Sequence, residues 1–259
     1  MSIALLHRYY SRNYWHLYGN AFGERIGVNN ENGLYMGLEV SPISGLKISA
    51  YADMYKFPWL TSLTGFASQG IEGFIRADYN ISRRWSMHIQ ARSETRGRNL
   101  SGYEGYLRRI EPHTRQSLRL HAQFSVSKEW DLRTRLEFSQ FLVGDTKENG
   151  VMLYQDIIYR PTFAPLRVQM RLAIFQTDDF DTRIYAYEND VLYSFSVPAY
   201  YGRGMRWYIN TSYEITPRLT LWARYAQTYF ADRTVISSGL NEIQGRTRSE
   251  VRLQLRYEF

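Results

Sequence analysis

Hydrophobic and polar residues alternate with a period of two through most of the chain, and the helical period of 3.6 is almost missing. In "RRWSMHIQAR", Trp85, Met87, Ile89 and Ala91 fall on one face, and Ser86, His88, Gln90 and Arg92 on the other. In "QSLRLHAQFSV", Leu118, Leu120, Ala122, Phe124 and Val126 oppose Arg119, His121, Gln123 and Ser125. "LRVQMRLAI" sets Leu166, Val168, Met170, Leu172 and Ile174 against Arg167, Gln169, Arg171 and Ala173. "MRWYINTSYE" and "RLTLWARYA" behave alike, and the closing "EVRLQLRYEF" sets Val251, Leu253, Leu255, Tyr257 and Phe259 against Arg252, Gln254, Arg256 and Glu258. The pattern predicts an all-β protein.

A soluble sandwich also alternates, so strand length and loop length decide between the two readings. The segments run roughly 9–13 residues, enough to cross a bilayer at a tilt. Short turns at 41–45, 81–84, 127–129, 160–165 and 216–218 interleave with longer polar loops at 12–32, 57–70, 96–113 and 230–246. Outer-membrane barrels sort their connections this way, with short periplasmic turns and longer external loops, and a sandwich has no reason to. Parity requires four strands between Leu166 and Glu214, where three are evident. A tight hairpin at Asn189-Asp190, joining strands 183–188 and 191–197, supplies the missing pair. The expectation is an antiparallel transmembrane β-barrel of about 14 strands with both ends periplasmic.

Composition changes this picture little. The 259 residues show no shift that divides them, so 1–259 reads as one domain. Cysteine is absent, which excludes a disulfide framework and cysteine-based metal or nucleophile chemistry. No stretch approaches 18 apolar residues, so no transmembrane helix is expected. The apolar run 3–6 has no basic region before it and no cleavage site after it, so it is not a signal peptide. That leaves a cytoplasmic protein, a mature form or a fragment. A mean hydropathy of −0.45 fits a barrel, because only alternate residues face lipid. Trp85, Trp130, Trp207 and Tyr257 near strand ends fit interfacial girdles.

In a barrel the last strand must pair with the first, since an open edge in lipid leaves backbone groups unsatisfied. The final residues, Leu253, Leu255, Tyr257 and Phe259, resemble the C-terminal signal that the assembly machinery reads in bacterial outer-membrane proteins. A second resemblance covers most of the chain. "SIALLHRYYSRNYWHLYGNAF", "NENGLYMGLEVSPISGLKISAYADMYKFPWL", "RIYAYENDVLYSFSVPAYYGRG" and "SEVRLQLRYEF" are similar to the C-terminal outer-membrane barrel of bacterial envelope proteins with upstream helix-hairpin-helix repeats, of the kind found in competence DNA-binding proteins. The resemblance implies that the chain is the C-terminal part of a longer protein linked to DNA uptake or handling. The DNA-binding hairpin signature is absent from the chain, so that role attaches to none of its residues.

Candidate chemistry is sparse. His88 and His121 fall on polar faces of neighbouring strands, but no nucleophile, base and orienting group form a recognisable set with them. Asp178, Asp179 and Asp181 in "TDDFD" lack the spacing of a calcium loop and a histidine partner, and read as solvated loop acids. No metal, cofactor or enzyme activity is expected. Arginines recur on the polar faces: Arg76, Arg92, Arg119, Arg133, Arg135, Arg171, Arg224, Arg252 and Arg256, with Glu72, Asp78, Asp131, Glu137 and Glu258 among them. They read first as a cross-strand ion-pair ladder, and second as an electropositive path for small anions or nucleic acid, consistent with the net charge of +7. The functional expectation is a non-enzymatic outer-membrane pore or membrane anchor, in contact with lipid and with the assembly machinery. The alternatives are an outer-membrane hydrolase with a rim site and a soluble β-sandwich binding module.

Overall fold

The computed structural model describes residues 1–16, 21–25, 27–100 and 109–259. Twelve long strands form one sheet: β1 (Ser2–Tyr10), β2 (Glu31–Ile43), β3 (Leu46–Phe57), β4 (Ser68–Asn80), β5 (Trp85–Asn99), β6 (Ile110–Ser125), β7 (Trp130–Val143), β8 (Thr146–Tyr159), β9 (Leu166–Thr177), β12 (Arg203–Thr216), β13 (Leu219–Phe230) and β16 (Thr247–Tyr257). Four two-residue strands stand apart as two small ribbons, β10 (Ile184–Tyr185) with β11 (Ala199–Tyr200), and β14 (Val235–Ile236) with β15 (Ile243–Gln244). Neighbours in the large sheet follow chain order from β1 to β16, and the fold class is that of an antiparallel outer-membrane β-barrel. No helix among the described residues is long and apolar enough to cross a membrane.

Connections alternate as expected. One end carries the short turns 44–45, 81–84, 126–129, 160–165 and 217–218, with Gly45 taking the positive φ of 82° that the tightest of them needs. The other end carries 58–67, 178–202, 231–246 and the described parts of the β1–β2 connection, 11–16, 21–25 and 27–30. It also carries one tight turn that loop sorting did not anticipate, 144–145, where Gly144 adopts a φ of 53°. Parts of the expected loops 12–32 and 96–113 lie outside the described residues.

The expected strands 183–188 and 191–197 do not join the sheet: β12 pairs directly with β9, Tyr208 opposite Arg171 and Asn210 opposite Gln169. The segment instead folds as a narrow hairpin, closed by the β10–β11 pairing and an isolated bridge between Glu188 and Ser196. The sheet therefore gains twelve long strands rather than about 14, and parity survives because the two missing strands are a pair.

Two compact units divide the chain, and both are inside out by the standard of a soluble protein. The first comprises Met1–Tyr79, Ile89–Leu118 and Gln140–Lys147. Its strands expose Ile3 (73%), Leu5, Ile71, Ile75 and Ile89, yet bury Arg8, Glu31 (0%) and Asp53 on the opposite face. The second comprises Asn80–His88, Arg119–Ser139 and Glu148–Phe259. It exposes Leu172, Ile174, Val251 and Leu253 (72%), and buries Asp156, Arg171 and Arg224. A water-soluble sandwich would turn the aliphatic rows inward. Whole apolar faces left open are stable only where the solvent is itself apolar.

Candidate functional site

The polar face of the second unit is where the chain concentrates its buried charge, and the infolded hairpin is the reason. Toward the long-loop end, β8 and β9 turn Met152, Tyr154, Ala173 and Phe175 to this face, which leaves an apolar patch among polar rows. Ile184, Ala186 and Tyr200 of the hairpin cover it, with Phe230 and Ile236 completing the cluster. The hairpin base is thus held by ordinary apolar burial.

Beyond that patch the face is arginine-rich, and arginines from five strands grip the hairpin. Glu188 is fully buried and is the central anchor. Its carboxylate accepts from Arg206 Nε at 2.7 Å and Nη2 at 3.0 Å, from Tyr200 Oη at 2.6 Å, and from Arg224 Nη2. Burial opposes its charge, but the Arg206 fork, with help from Tyr200 and Arg224, holds the carboxyl below the usual carboxylate range. Arg224 Nε also donates to the carbonyl of Asn189 at 3.2 Å. Arg171 pairs through two nitrogens with Asp156 at 2.5 and 2.7 Å and gives its third to the carbonyl of Tyr187 at 2.7 Å, with its guanidinium 3.7 Å from the centroid of Tyr154. Arg135 reaches the carbonyl of Tyr185 at 3.0 Å, and Arg252 bonds Asp190 and, at 2.8 Å, Ser194 Oγ. Tyr208 Oη accepts from both nitrogens of Asn189, at 3.2 and 3.1 Å.

The hairpin's carbonyls at 185, 187 and 189 point at guanidiniums that no β-ladder could supply. This is the physical reason the segment leaves the wall. Its backbone hydrogen bonds are met by side chains of the polar face instead of by neighbouring strands.

The polar face of the first unit also buries charge, though fewer charged residues than the second. Arg8 donates to Glu31 at 2.5 Å and to Asp53 at 2.8 Å, all three buried. Glu72 accepts from Tyr51 and from Arg92 at 2.9 and 2.6 Å. Carboxylate oxygens of Glu24, Glu72 and Glu94 lie within 4.8 Å of one another, a spacing that could hold a divalent cation. Arg92 and Arg96 already supply positive charge there, Arg96 to both Glu24 and Glu94.

Of the nine arginines named from the sequence, eight have acidic partners. Arg76 pairs with Asp78, Arg92 with Glu72, Arg119 and Arg135 with Glu137, Arg171 with Asp156, Arg224 with Glu188, Arg252 with Asp190, and Arg256 with Glu258. Arg133 has no ion pair among the described residues. Arg206 belongs to the same set and was missed, although it alternates with Met205 and Trp207 as clearly as the others. Asp131 turns to Arg160 rather than to its own strand's arginines.

His88 and His121 stack at 5.0 Å on the polar face, as their neighbouring strands predict. The "TDDFD" acids have local structural roles. Asp178 accepts from the backbone of Asn149 at 2.8 Å, Asp179 caps the 3-10 turn at Phe180–Thr182, and Asp181 lies 3.7 Å from Arg183. Leu253, Leu255, Tyr257 and Phe259 form an exposed row on the terminal strand. Trp85 and Trp130 open their strands at the short-turn end, Trp130 stacked on Tyr159 at 4.2 Å, whereas Trp207 sits several residues inside β12.

No protein-family model matches the chain, and no curated protein sequence matches it. Its structural neighbours are bacterial outer-membrane proteins. They include the NanC porin (9% identity, TM-score 0.40, 89% of this chain and 94% of that one) and OmpT of Vibrio cholerae, an outer membrane protein (5% identity, TM-score 0.43, 88% and 89%). CdiB from Acinetobacter baumannii is also similar (11% identity, TM-score 0.48), over 88% of this chain and 44% of that one. At these identities no residue role passes from them to this chain.

Proposed function

We propose that the protein is a non-enzymatic outer-membrane barrel that acts as a narrow channel, its polar interior restricted by the hairpin 184–200. The observation that carries this reading is the inside-out sheet: open aliphatic faces that suit lipid, backed by polar faces on which one segment is deliberately seated. In this reading the short turns face the periplasm, and the exposed terminal row from Leu253 to Phe259 is what the assembly machinery reads. Paired arginines stiffen the wall and hold the hairpin. The anion preference falls to polar-face cations without a carboxylate partner among the described residues, Arg133 and Arg167 among them.

The resemblance to helix-hairpin-helix envelope proteins extends the reading to an anchor for a periplasmic DNA-handling region. The test is single-channel conductance of the refolded protein in a planar bilayer under a salt gradient. Small, stable steps with an anion-favouring reversal potential are expected. A protein that is folded by heat-modifiable gel mobility yet passes no current would refute the channel and leave the anchor.

A further inference from the structure

Beneath the tip of the hairpin lies a cavity of about 380 Å³, large enough for one small organic molecule. Its floor follows from strand register. Arg167 on β9 is opposite Ser212 on β12, which is opposite Trp222 on β13. With strands about 4.8 Å apart, the Cα atoms of Arg167 and Trp222 stand roughly 10 Å from each other across the serine. Asn210 lies two residues along from Ser212 on the same face. The hairpin tip, from Asp190 to Ser194, forms the roof and is tied down by Arg252.

Three features of this floor are unspent. Arg167 has no ion pair among the described residues; the charges acting on it include the cations Arg160 and Arg133 and, opposing them, the acid Asp131. Asn210 is 97% buried, being 3% exposed; its Nδ2 donates to Gln169 Oε1 at 3.0 Å and to the carbonyl of Asp190 at 3.1 Å. Because both partners are acceptors, the amide orientation is fixed, and Oδ1 is left buried without a donor. Trp222 is the one aromatic residue in its row, with Gln254 beyond it on β16. It is half-buried and lines the cavity.

A buried acceptor without a donor is costly in a native structure and asks for a partner. A guanidinium asks for an anion, and an indole face for a flat ring. We propose that this cavity is a binding site for a small ring-bearing monocarboxylate with hydroxyl groups. Its carboxylate pairs with Arg167, its ring lies on Trp222, and a hydroxyl donates to Asn210 Oδ1. The site depends on the seated hairpin, not on conduction, so a protein that binds the anion but passes no current keeps the site and loses the channel.

The test is calorimetric titration of the full chain, folded in detergent, with 4-hydroxybenzoate and with glucuronate, an aromatic and a sugar source of the same chemistry. Saturable binding of one or both at a single site is expected. Arg167→Gln should weaken it about tenfold or more, and Trp222→Leu should weaken it while heat-modifiable mobility is kept. Arg84→Gln, the same charge change in the turn 81–84, should leave it intact. Equal loss in Arg84→Gln, or equal binding of acetate, would mean diffuse positive charge and overturn the proposal. Absence of saturation with both probes would overturn it as well.

Discussion

Replacing Glu188 with Gln tests whether the hairpin is held by charge. The side chain is fully buried and takes four donor contacts, two from Arg206 and one each from Tyr200 and Arg224. Removing one member of a buried ion pair costs about 3–5 kcal/mol, because the partner charge stays buried and unpaired. The lower end applies here, for two reasons. Glutamine keeps one acceptor oxygen, and Glu250 remains 3.4 Å from Arg206 and 3.8 Å from Arg224. A loss of about 3 kcal/mol raises the open population of the hairpin roughly a hundredfold, at about 1.4 kcal/mol per factor of ten. Hydrogen exchange reads this directly, because the Glu188 amide is bonded to the Ser196 carbonyl at 2.9 Å and the Asn189 amide to Tyr208 Oη. Exchange across 184–200 should accelerate by about that factor, while β9 and β12 keep their protection. Unchanged exchange in the hairpin would refute the reasoning. So would equal acceleration in β9 and β12, since it would make Glu188 a strut of the wall and not the latch of the hairpin.

The same carboxylate sets a pH dependence. Its pKa is held below the ordinary range when the hairpin is seated, so the stabilisation is complete above the unfolded value and is lost only as pH falls through the lower, folded one. Hairpin exchange, corrected for the intrinsic rate, should therefore stay flat from neutral pH down to the usual carboxylate range and rise only in stronger acid. Ile174→Arg separates lipid from water outside the sheet. The side chain is already 57% exposed, so in a soluble protein the change should alter stability by about 0.5 kcal/mol or less, whereas facing hydrocarbon it should cost about 2–4 kcal/mol in urea unfolding from liposomes. Gly204→Ala should destabilise by about 1–3 kcal/mol in the same assay, because a Cβ there would come within 2.1 Å of the Tyr229 carbonyl oxygen on the adjacent strand.

Alternation made the wall legible in the sequence, because each side chain's face is fixed by the period of two. It misplaced the segment 183–197 for a reason visible in its neighbours. At Val151, Met152, Leu153 and Tyr154 the alternation fails, and both faces of β8 are apolar; the outer pair faces away while Met152 and Tyr154 are fully or nearly buried. An inner face that is apolar in a polar row needs a cover, and the nearest long connection supplies it. The turn itself is not where Asn189-Asp190 suggested: the chain reverses at 191–194, where the Ser194 amide bonds the Val191 carbonyl at 3.1 Å and Tyr193 takes a φ of 64°, because Asn189 and Asp190 are held by Tyr208, Arg224 and Arg252 instead. The hairpin's position was not legible either, since local turn chemistry is the same whether the arms pair with a wall or with side chains. Arg206 could have been found by the same alternation that identified Arg171 and Arg224.

The pairing of the arginines changes what charge means for this protein. A formal excess of +7 and nine inward arginines suggest a strongly electropositive interior. Yet eight of the nine meet carboxylates, with Arg119 and Arg135 sharing Glu137, and several of these also bind hairpin carbonyls, so most of their positive charge is offset where it would have faced a solute. Pair neutralisation falls off quickly with distance at an exposed surface but not in a buried one, where each guanidinium sits within hydrogen-bonding reach of its acid. In the proposed channel, selectivity then depends on which cations lack a partner, and not on how many there are. Arg133 and Arg167 are both on the polar face near the short-turn end, and an acidic substitution at either should shift the reversal potential more than the same change at Arg76 or Arg256, whose charges Asp78 and Glu258 already balance.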